Sequence, residues 1–232
     1  NGRQSLPLAE VVDERSFVNG MVALLASGGS TNLCIHMIAV ARAAGLVLNW
    51  SDFDALSKVV PLLTRIYPNG NADINHFQAA GGTGLLFSEL IQAGLMHGDA
   101  RVCFGESLEA ACVEPYLQEG SLQWRSIPDQ SLDLEVIRPA HDPFAPEGGI
   151  RLLEGNLGRS LIKSSAVSPD RLTITAPAVV VSHQDELKYL FDRGELDRDC
   201  VIVARFQGPS ANGMPELHKL MPVLGVLQDR GH

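Results

Sequence analysis

The sequence predicts a mixed α/β protein, helical first and strand-rich later. Three observations carry this. Up to about residue 117, apolar residues recur at helical spacing between glycines and cap-forming residues. After about residue 120, and up to 149, the texture changes: Pro128, Pro139, Pro143, Pro146 and Gly148-Gly149 leave little room for a regular element. Beyond it, short β-branched and aliphatic runs replace the helical period. The chain has 232 residues, 45% hydrophobic and 19% charged, enough for one large domain or two small ones with a packed core.

The elements follow in order. Asp13 caps a helix whose face is Phe17, Met21, Leu24 and Leu25, stopped by Gly28-Gly29. Ser30-Thr31-Asn32 opens a second helix, residues 33–44, closed by Gly45. Ser51-Asp52-Phe53-Asp54 has capping-box form and starts a third helix towards Arg65, with Pro61 a point of kinking. Tyr67-Pro68-Asn69-Gly70 is a turn. A fourth helix spans 85–93, and a fifth is expected over 106–117 despite Pro115. Later, 161–163, 172–175, 178–181 and 200–204 read as strands. A helix capped by Ser182, with Asp185 at the third position, buries Leu187, Leu190 and Phe191, and a last helix begins near Glu216.

Charge and cysteine content exclude some classes of function. Asp and Glu number 27 against 18 Lys and Arg, a net charge of -9, which repels a phosphate backbone and argues against nucleic acid. No apolar run approaches the roughly 18 residues of a membrane helix. The cysteines, Cys34, Cys103, Cys112 and Cys200, form no Cys-x-x-Cys pair and show no zinc spacing, so they read as reduced thiols in a cytoplasmic protein. The polar opening Asn-Gly-Arg-Gln, without an initiator Met, reads as a piece of a longer protein without a signal peptide.

Four segments carry polar groups dense enough for chemistry, and on local pattern each has two readings. Gly28-Gly29-Ser30-Thr31-Asn32 joins close backbone approach, a helix N-terminus and two hydroxyls, which suits a carboxylate or phosphate; it equally describes a helix start after a glycine turn. It lacks the Lys of a P-loop. Asp73-Ile74-Asn75-His76-Phe77-Gln78 offers acid, base or ligand groups, or simply caps a helix. Gly155-Asn156-Leu157-Gly158-Arg159 is a turn between strands, with Arg159 and Lys163 placed to hold an anion or to make structural pairs. In 208–216, Glu216 follows Pro215 at a helix start, as a ligand for a hard cation or as a complement to the helix dipole.

Taken together and in order, these segments resemble the dihydroxy-acid dehydratase / 6-phosphogluconate dehydratase family. The stretches are GGSTN at 28–32, ADINHFQAAGG at 72–82, GNLGR at 155–159, ELDRDC at 195–200 and GPSANGMPELHKL at 208–220. The wording of the second and last resembles the phosphogluconate branch. The resemblance implies an iron–sulfur-dependent hydro-lyase that dehydrates 6-phospho-D-gluconate to 2-dehydro-3-deoxy-6-phospho-D-gluconate in the Entner-Doudoroff pathway. A same-family alternative is a dihydroxy-acid or aldonic-acid dehydratase, and a different-class one is a non-catalytic sugar-phosphate-binding module. It also implies a cluster iron acting as Lewis acid on the C3 hydroxyl, Mg2+ on the substrate carboxylate and a serine base at C2.

The cluster segment Cys-Asp-Lys and the segment bearing the serine are absent, so the resemblance implies a central fragment, inactive alone, with cluster cysteines outside it and the base after His232. What carries over is Glu216 as Mg2+ ligand, and Ser30, Thr31, Asn32, Asp73, Asn75, His76 and Arg159 as substrate-binding residues, with Asp73, Asn75 and His76 the candidates for the phosphorylated end. The implied fold is the end of a helix-rich α/β N-terminal domain (1–125), a crossing (126–149) and the start of a β-rich, β-barrel-like C-terminal domain (150–232). A homodimer is implied, with no membrane or nucleic-acid partner.

Overall fold

The computed structural model describes residues 5–208, 211 and 219–232. The chain divides into two compact units, Asn1–Pro169 and Asp170–His232. No helix among the described residues is long and apolar enough to cross a membrane.

In the first unit, α1 (Glu14–Ala26) begins with a reciprocal cap: Ser16 N donates to Asp13 Oδ1 at 2.9 Å and Asp13 N to Ser16 Oγ at 3.3 Å. Its inner face buries Met21, Val22, Leu24 and Leu25. The helix ends in a paired stop, Gly29 N donating to Leu24 O at 2.8 Å and Gly28 N to Leu25 O at 3.2 Å, with Gly28 left-handed at φ 59°. Ser30 at once caps α2 (Thr31–Ala43). That helix ends the same way at Gly45, φ 78°, with Leu46 N bound to Ala41 O.

The third helix, α3, runs only from Trp50 to Ser57, and its cap is Asn49 with Asp52 answering, not Ser51. It stops well short of Arg65 because 62–65 spends its backbone groups elsewhere. Leu63 N and Thr64 N donate to Ala26 O, Leu62 pairs with Ala145 and Thr64 with Ile137. These long-range bonds outweigh the local helical preference. Helices α4 (Ile74–Ala80) and α5 (Gly82–Gln92) follow, α5 starting a turn earlier than the sequence suggests.

The expected helix over 106–117 is not formed. Residues Val113–Gln118 are instead strand β1, paired antiparallel with β2 (Ser121–Ser126). Pro115 cannot donate a helical hydrogen bond, and Arg125 Nε reaches Glu114 Oε2 across the strands at 2.7 Å. A second hairpin joins β3 (Ile150–Gly155) to β4 (Gly158–Lys163) through Asn156-Leu157. It is tied to α3: Ile150 N donates to Ser57 Oγ at 3.1 Å and Leu152 N to Asp54 Oδ1 at 3.0 Å. The Leu152 N–H, with Lys58 beside it, holds the Asp54 carboxyl below its usual range. Ile150 is fully buried with Leu25, Phe53, Leu63, Leu90 and Ile137 in one core. Each such side chain contributes about 1.5–3 kcal/mol of burial. The hairpin therefore packs with the helices, although the sequence reading groups it with the later strands.

The second unit is a β–α–β arrangement. Strand β5 (Ala178–Val181) runs parallel to β6 (Val201–Ala204), linked through α6 (Gln184–Asp192). The cap of α6 is His183, whose Nδ1 accepts from Asp185 N at 3.2 Å, rather than Ser182. Residues 172–175, expected as a strand, form none. Leu187 and Leu196 pack with Val223 and Leu227 of α7 (Leu220–Asp229). The fold is thus mixed α/β. Among the described residues the strands make three two-stranded sheets, none of them closed, so the barrel-like part of the expectation has no counterpart there.

Candidate functional site

The loop 27–30 between α1 and α2 is anchored from several parts of the first unit. Its two glycines serve the paired helix stop, and three consecutive carbonyls are then taken up from outside the helix. Ala26 O accepts from Leu63 N and Thr64 N, and Ser27 O accepts from Thr64 Oγ1 at 2.8 Å. Gly28 O accepts from Asn69 Nδ2 at 3.1 Å and from Lys163 Nζ. Asn69 is itself held by Ser165 Oγ at 3.2 Å. Lys163 is half-buried, and that burial lowers its pKa. A cation set against the carbonyl end of α1 also complements the helix dipole. Sequence reading offers Lys163 for an anion, but the structure turns it to a backbone carbonyl. The sequence marks Asn69 only as a turn residue and gives Thr64 no role, because their partners lie 41 and 37 residues away.

So held, the loop presents Ser30, Thr31 and Asn32. The Ser30 hydroxyl accepts from Asn32 N at 3.2 Å, occupying one donor of the helix start. Thr31 and Ile35, one turn apart, face Trp50, Arg159, Ser160 and Leu161 across a cavity of about 230 Å³. Thr31 and Arg159, 128 residues apart in sequence, thus line one space because β4 packs beside α2. The cavity brings together two hydroxyls, an indole and a guanidinium, groups that suit a small oxygen-rich molecule. Arg159 is paired across its own hairpin with Glu154 Oε1 at 3.0 Å.

Asp73, Asn75 and His76 lie instead at the start of α4 and bind one another. Asp73 Oδ1 accepts from Asn75 N at 2.8 Å and His76 N at 3.0 Å, and His76 Nδ1 accepts from Asp73 N at 3.2 Å. The His76 N–H is the largest cause that holds the Asp73 carboxyl down to about 2, followed by the His76 side chain. The capping reading of this segment is therefore realised in full. Glu216 and most of its loop lie outside the described residues.

The described residues gather no group of three or more His, Cys, Asp or Glu able to hold a metal ion. Cys34 is buried, and that burial pushes its thiol up to about 11. Burial, then Glu109, also raises Cys112. Neither site favours the thiolate an iron–sulfur cluster requires.

Two family models match this chain. Dihydroxy-acid/6-phosphogluconate dehydratase N-terminal covers residues 2–111, and dihydroxy-acid/6-phosphogluconate dehydratase C-terminal covers residues 135–232. The chain belongs to the dihydroxy-acid/6-phosphogluconate dehydratase family. Among individual relatives, it is 55% identical over 97% of its length to the phosphogluconate dehydratase of Pseudomonas aeruginosa, of which it covers 37%. It is 54% identical over 99% of its length to that of Escherichia coli K12, covering 38%. To the dihydroxy-acid dehydratase of Thermus thermophilus it is 31% identical over 90% of its length, covering 36%. The chain thus spans little more than a third of these relatives.

Proposed function

We propose that the protein containing this chain is a hydro-lyase that dehydrates 6-phospho-D-gluconate to 2-dehydro-3-deoxy-6-phospho-D-gluconate, a step of the Entner-Doudoroff pathway. The observation that carries this reading is the much higher identity to proteins named phosphogluconate dehydratase than to one named dihydroxy-acid dehydratase. In the reaction the C2–H and C3–O bonds break, water leaves, and the resulting enol tautomerises to the 2-keto acid. The part assigned to this chain is binding and orientation. Ser30, Thr31, Asn32 and Arg159 meet substrate oxygens at the α1–α2 loop, and Asp73, Asn75 and His76 are assigned to the substrate as well. Holding the loop carbonyls beforehand spares reorganisation when the substrate arrives.

An iron–sulfur cluster and Mg2+ belong to the same proposal: when bound, the cluster would supply Lewis-acid assistance to the departing hydroxyl and Mg2+ would neutralise the substrate carboxylate. Burial makes Cys34 and Cys112 poor cluster ligands, and the cluster ligands are assigned outside this chain, as is the serine base. Glu216 is the proposed Mg2+ ligand. A division into an α/β N-terminal domain (1–125), a crossing (126–149) and a β-barrel-like C-terminal domain (150–232) extends the proposal to the whole protein. The limits of the two family models, at 111 and 135, support a boundary in this stretch. A homodimer in the cytoplasm completes it.

The test is an anaerobic assay of the full-length protein after reconstitution with iron, sulfide and Mg2+. Substrates are 6-phosphogluconate, a phosphate-free aldonic acid and a 2,3-dihydroxy acid, with residues 1–232 alone in parallel. Preferred turnover of 6-phosphogluconate by the full protein, and none by residues 1–232, is expected. Preference for the dihydroxy acid would overturn the substrate, and turnover by residues 1–232 would overturn the placement of cluster and base.

A further inference from the structure

The proposed substrate carries a phosphate, yet the cations nearest the α1–α2 loop are already engaged. Arg159 pairs with Glu154 and Lys163 with the Gly28 carbonyl. The start of α4 is no alternative: its first N–H groups are filled by the Asp73 carboxylate, which stays anionic through neutral pH and repels a phosphate. Elsewhere in the first unit, Arg15, Lys58, Arg101, Arg125 and Arg151 each pair with a carboxylate. Among the described residues of this unit, no carboxylate pairs with Arg42, Arg65 or Arg138. Arg42 lies in the last turn of α2, where it complements the helix dipole.

Arg65 and Arg138 are brought together. Thr64 and Ile137 bridge with both side chains fully buried, and Arg65 N donates to Val136 O at 2.9 Å while Arg138 N donates to Leu63 O at 2.8 Å. Beside these buried residues the Arg65 side chain is exposed and Arg138 is half-buried. Both guanidinium carbons lie over the Phe144 ring, at 4.5 and 4.6 Å from its centroid, so they are within about 9 Å of each other. The shared ring keeps two guanidinium charges close together with no carboxylate between them among the described residues. One Arg138 donor goes to Leu134 O at 3.3 Å, and Glu89, which reaches the same loop, accepts from Ala140 N. The stem of Arg65 rests on the 67–70 turn, where a Cβ on Gly70 would meet its Cγ at 2.3 Å. Asn69 of that turn grips Gly28.

We propose that Arg65 and Arg138, splayed on Phe144, form the subsite for the substrate's phosphomonoester, one turn away from the loop that binds its sugar-acid end. The inference rests on the reading of the substrate as a sugar-acid phosphate. A phosphomonoester is close to dianionic at neutral pH, and two guanidiniums match both its charge and its acceptors. The chain's acidic surplus makes two adjacent unpaired arginines a local exception that a phosphate would seek.

The test uses the full-length reconstituted protein with Arg65→Gln, Arg138→Gln and Arg65→Lys. Each Gln variant is expected to raise KM for 6-phosphogluconate about tenfold or more with kcat largely kept, and to weaken competitive inhibition by inorganic phosphate in parallel. Turnover of phosphate-free gluconate should not change, and Arg65→Lys should recover part of the loss. An unchanged KM, an equal loss with gluconate, or wild-type protein insensitive to millimolar phosphate would each overturn the assignment. Arg65 is exposed, so Arg65→Gln decides alone if Arg138→Gln does not fold. If the wild type ignores 6-phosphogluconate, the functional reading fails separately. Calorimetric titration with inorganic phosphate then still judges the arginine pair: binding that both Gln variants lose supports it, and binding unchanged in them overturns it.

Discussion

Replacing Gly28 by alanine tests whether the α1–α2 loop is held by packing or merely by its glycine backbone. Gly28 and Gly45 both end helices in the left-handed region, at φ 59° and 78°. An alanine at Gly45 meets nothing within 4 Å, so it bears only the backbone cost, about 1 kcal/mol. At Gly28 the new Cβ would stand 2.0 Å from Asn69 Nδ2 and 3.1 Å from Leu62 Cδ1. Asn69 must move, which removes its bond to Gly28 O, adding roughly 1 kcal/mol for the bond and a similar amount for the displacement. Gly28→Ala should therefore cost about 2–4 kcal/mol against about 1 for Gly45→Ala. Asn69→Ala alone should cost about 1 kcal/mol, and the double variant Gly28→Ala/Asn69→Ala should fall short of the sum by roughly 1–2 kcal/mol, because the clash is gone. Equilibrium urea denaturation of the four variants and the parent reads these differences. Equal losses at Gly28 and Gly45, or strict additivity with Asn69, would refute the argument that the side-chain clamp on this loop matters.

Other outcomes follow from single contacts. Thr64→Val keeps the shape but strips a side-chain donor from Ser27 O, so the melting temperature should fall by the equivalent of about 1–2 kcal/mol, while Val at exposed Thr83 should leave it nearly unchanged. Asp73 has a folded pKa of about 2 against 3.8 for its ordinary value, so the cap contributes above pH 3.8 and is lost as pH falls towards 2. Amide exchange at Asn75 and His76 should quicken, relative to its intrinsic pH dependence, across that window, and Asp73→Asn should abolish the change. The buried Cys34, its thiol raised to about 11, should resist iodoacetamide at neutral pH while exposed Cys103 is alkylated, as read by peptide mass spectrometry.

Local chemistry made much of the fold legible. Asp13, Ser30 and Gly45 act within a turn of themselves, and their caps and stops are where the sequence places them. The helices α1 and α2 and the strands β4, β5 and β6 follow from the same short-range signals. The errors share one cause. The stretch 58–65 has helical spacing, yet the N–H groups of Leu62, Leu63, Thr64 and Arg65 bond to Ala145, Ala26 and Val136. Residues 113–117 have it too, but pair with 122–126, and Pro115 opposite Trp124 was the one local warning. The site divides likewise: the Ser30 cap and the polar Asp73–His76 segment are visible as text, but their neighbours are not.

Residue types and their order by themselves determined the family, the alternation of helix and strand, and the loop that starts α2, because caps, glycine stops and motif wording are properties of adjacent residues. Only the tertiary structure decided which groups share a space. It put Thr31 opposite Arg159, turned Lys163 to a carbonyl of the loop, and laid Arg65 and Arg138 on one phenyl ring, 73 residues apart in sequence. The physical reason is that such meetings are fixed by burial of a common core, Leu63, Ile137 and Ile150 among it, and burial depends on the whole chain at once.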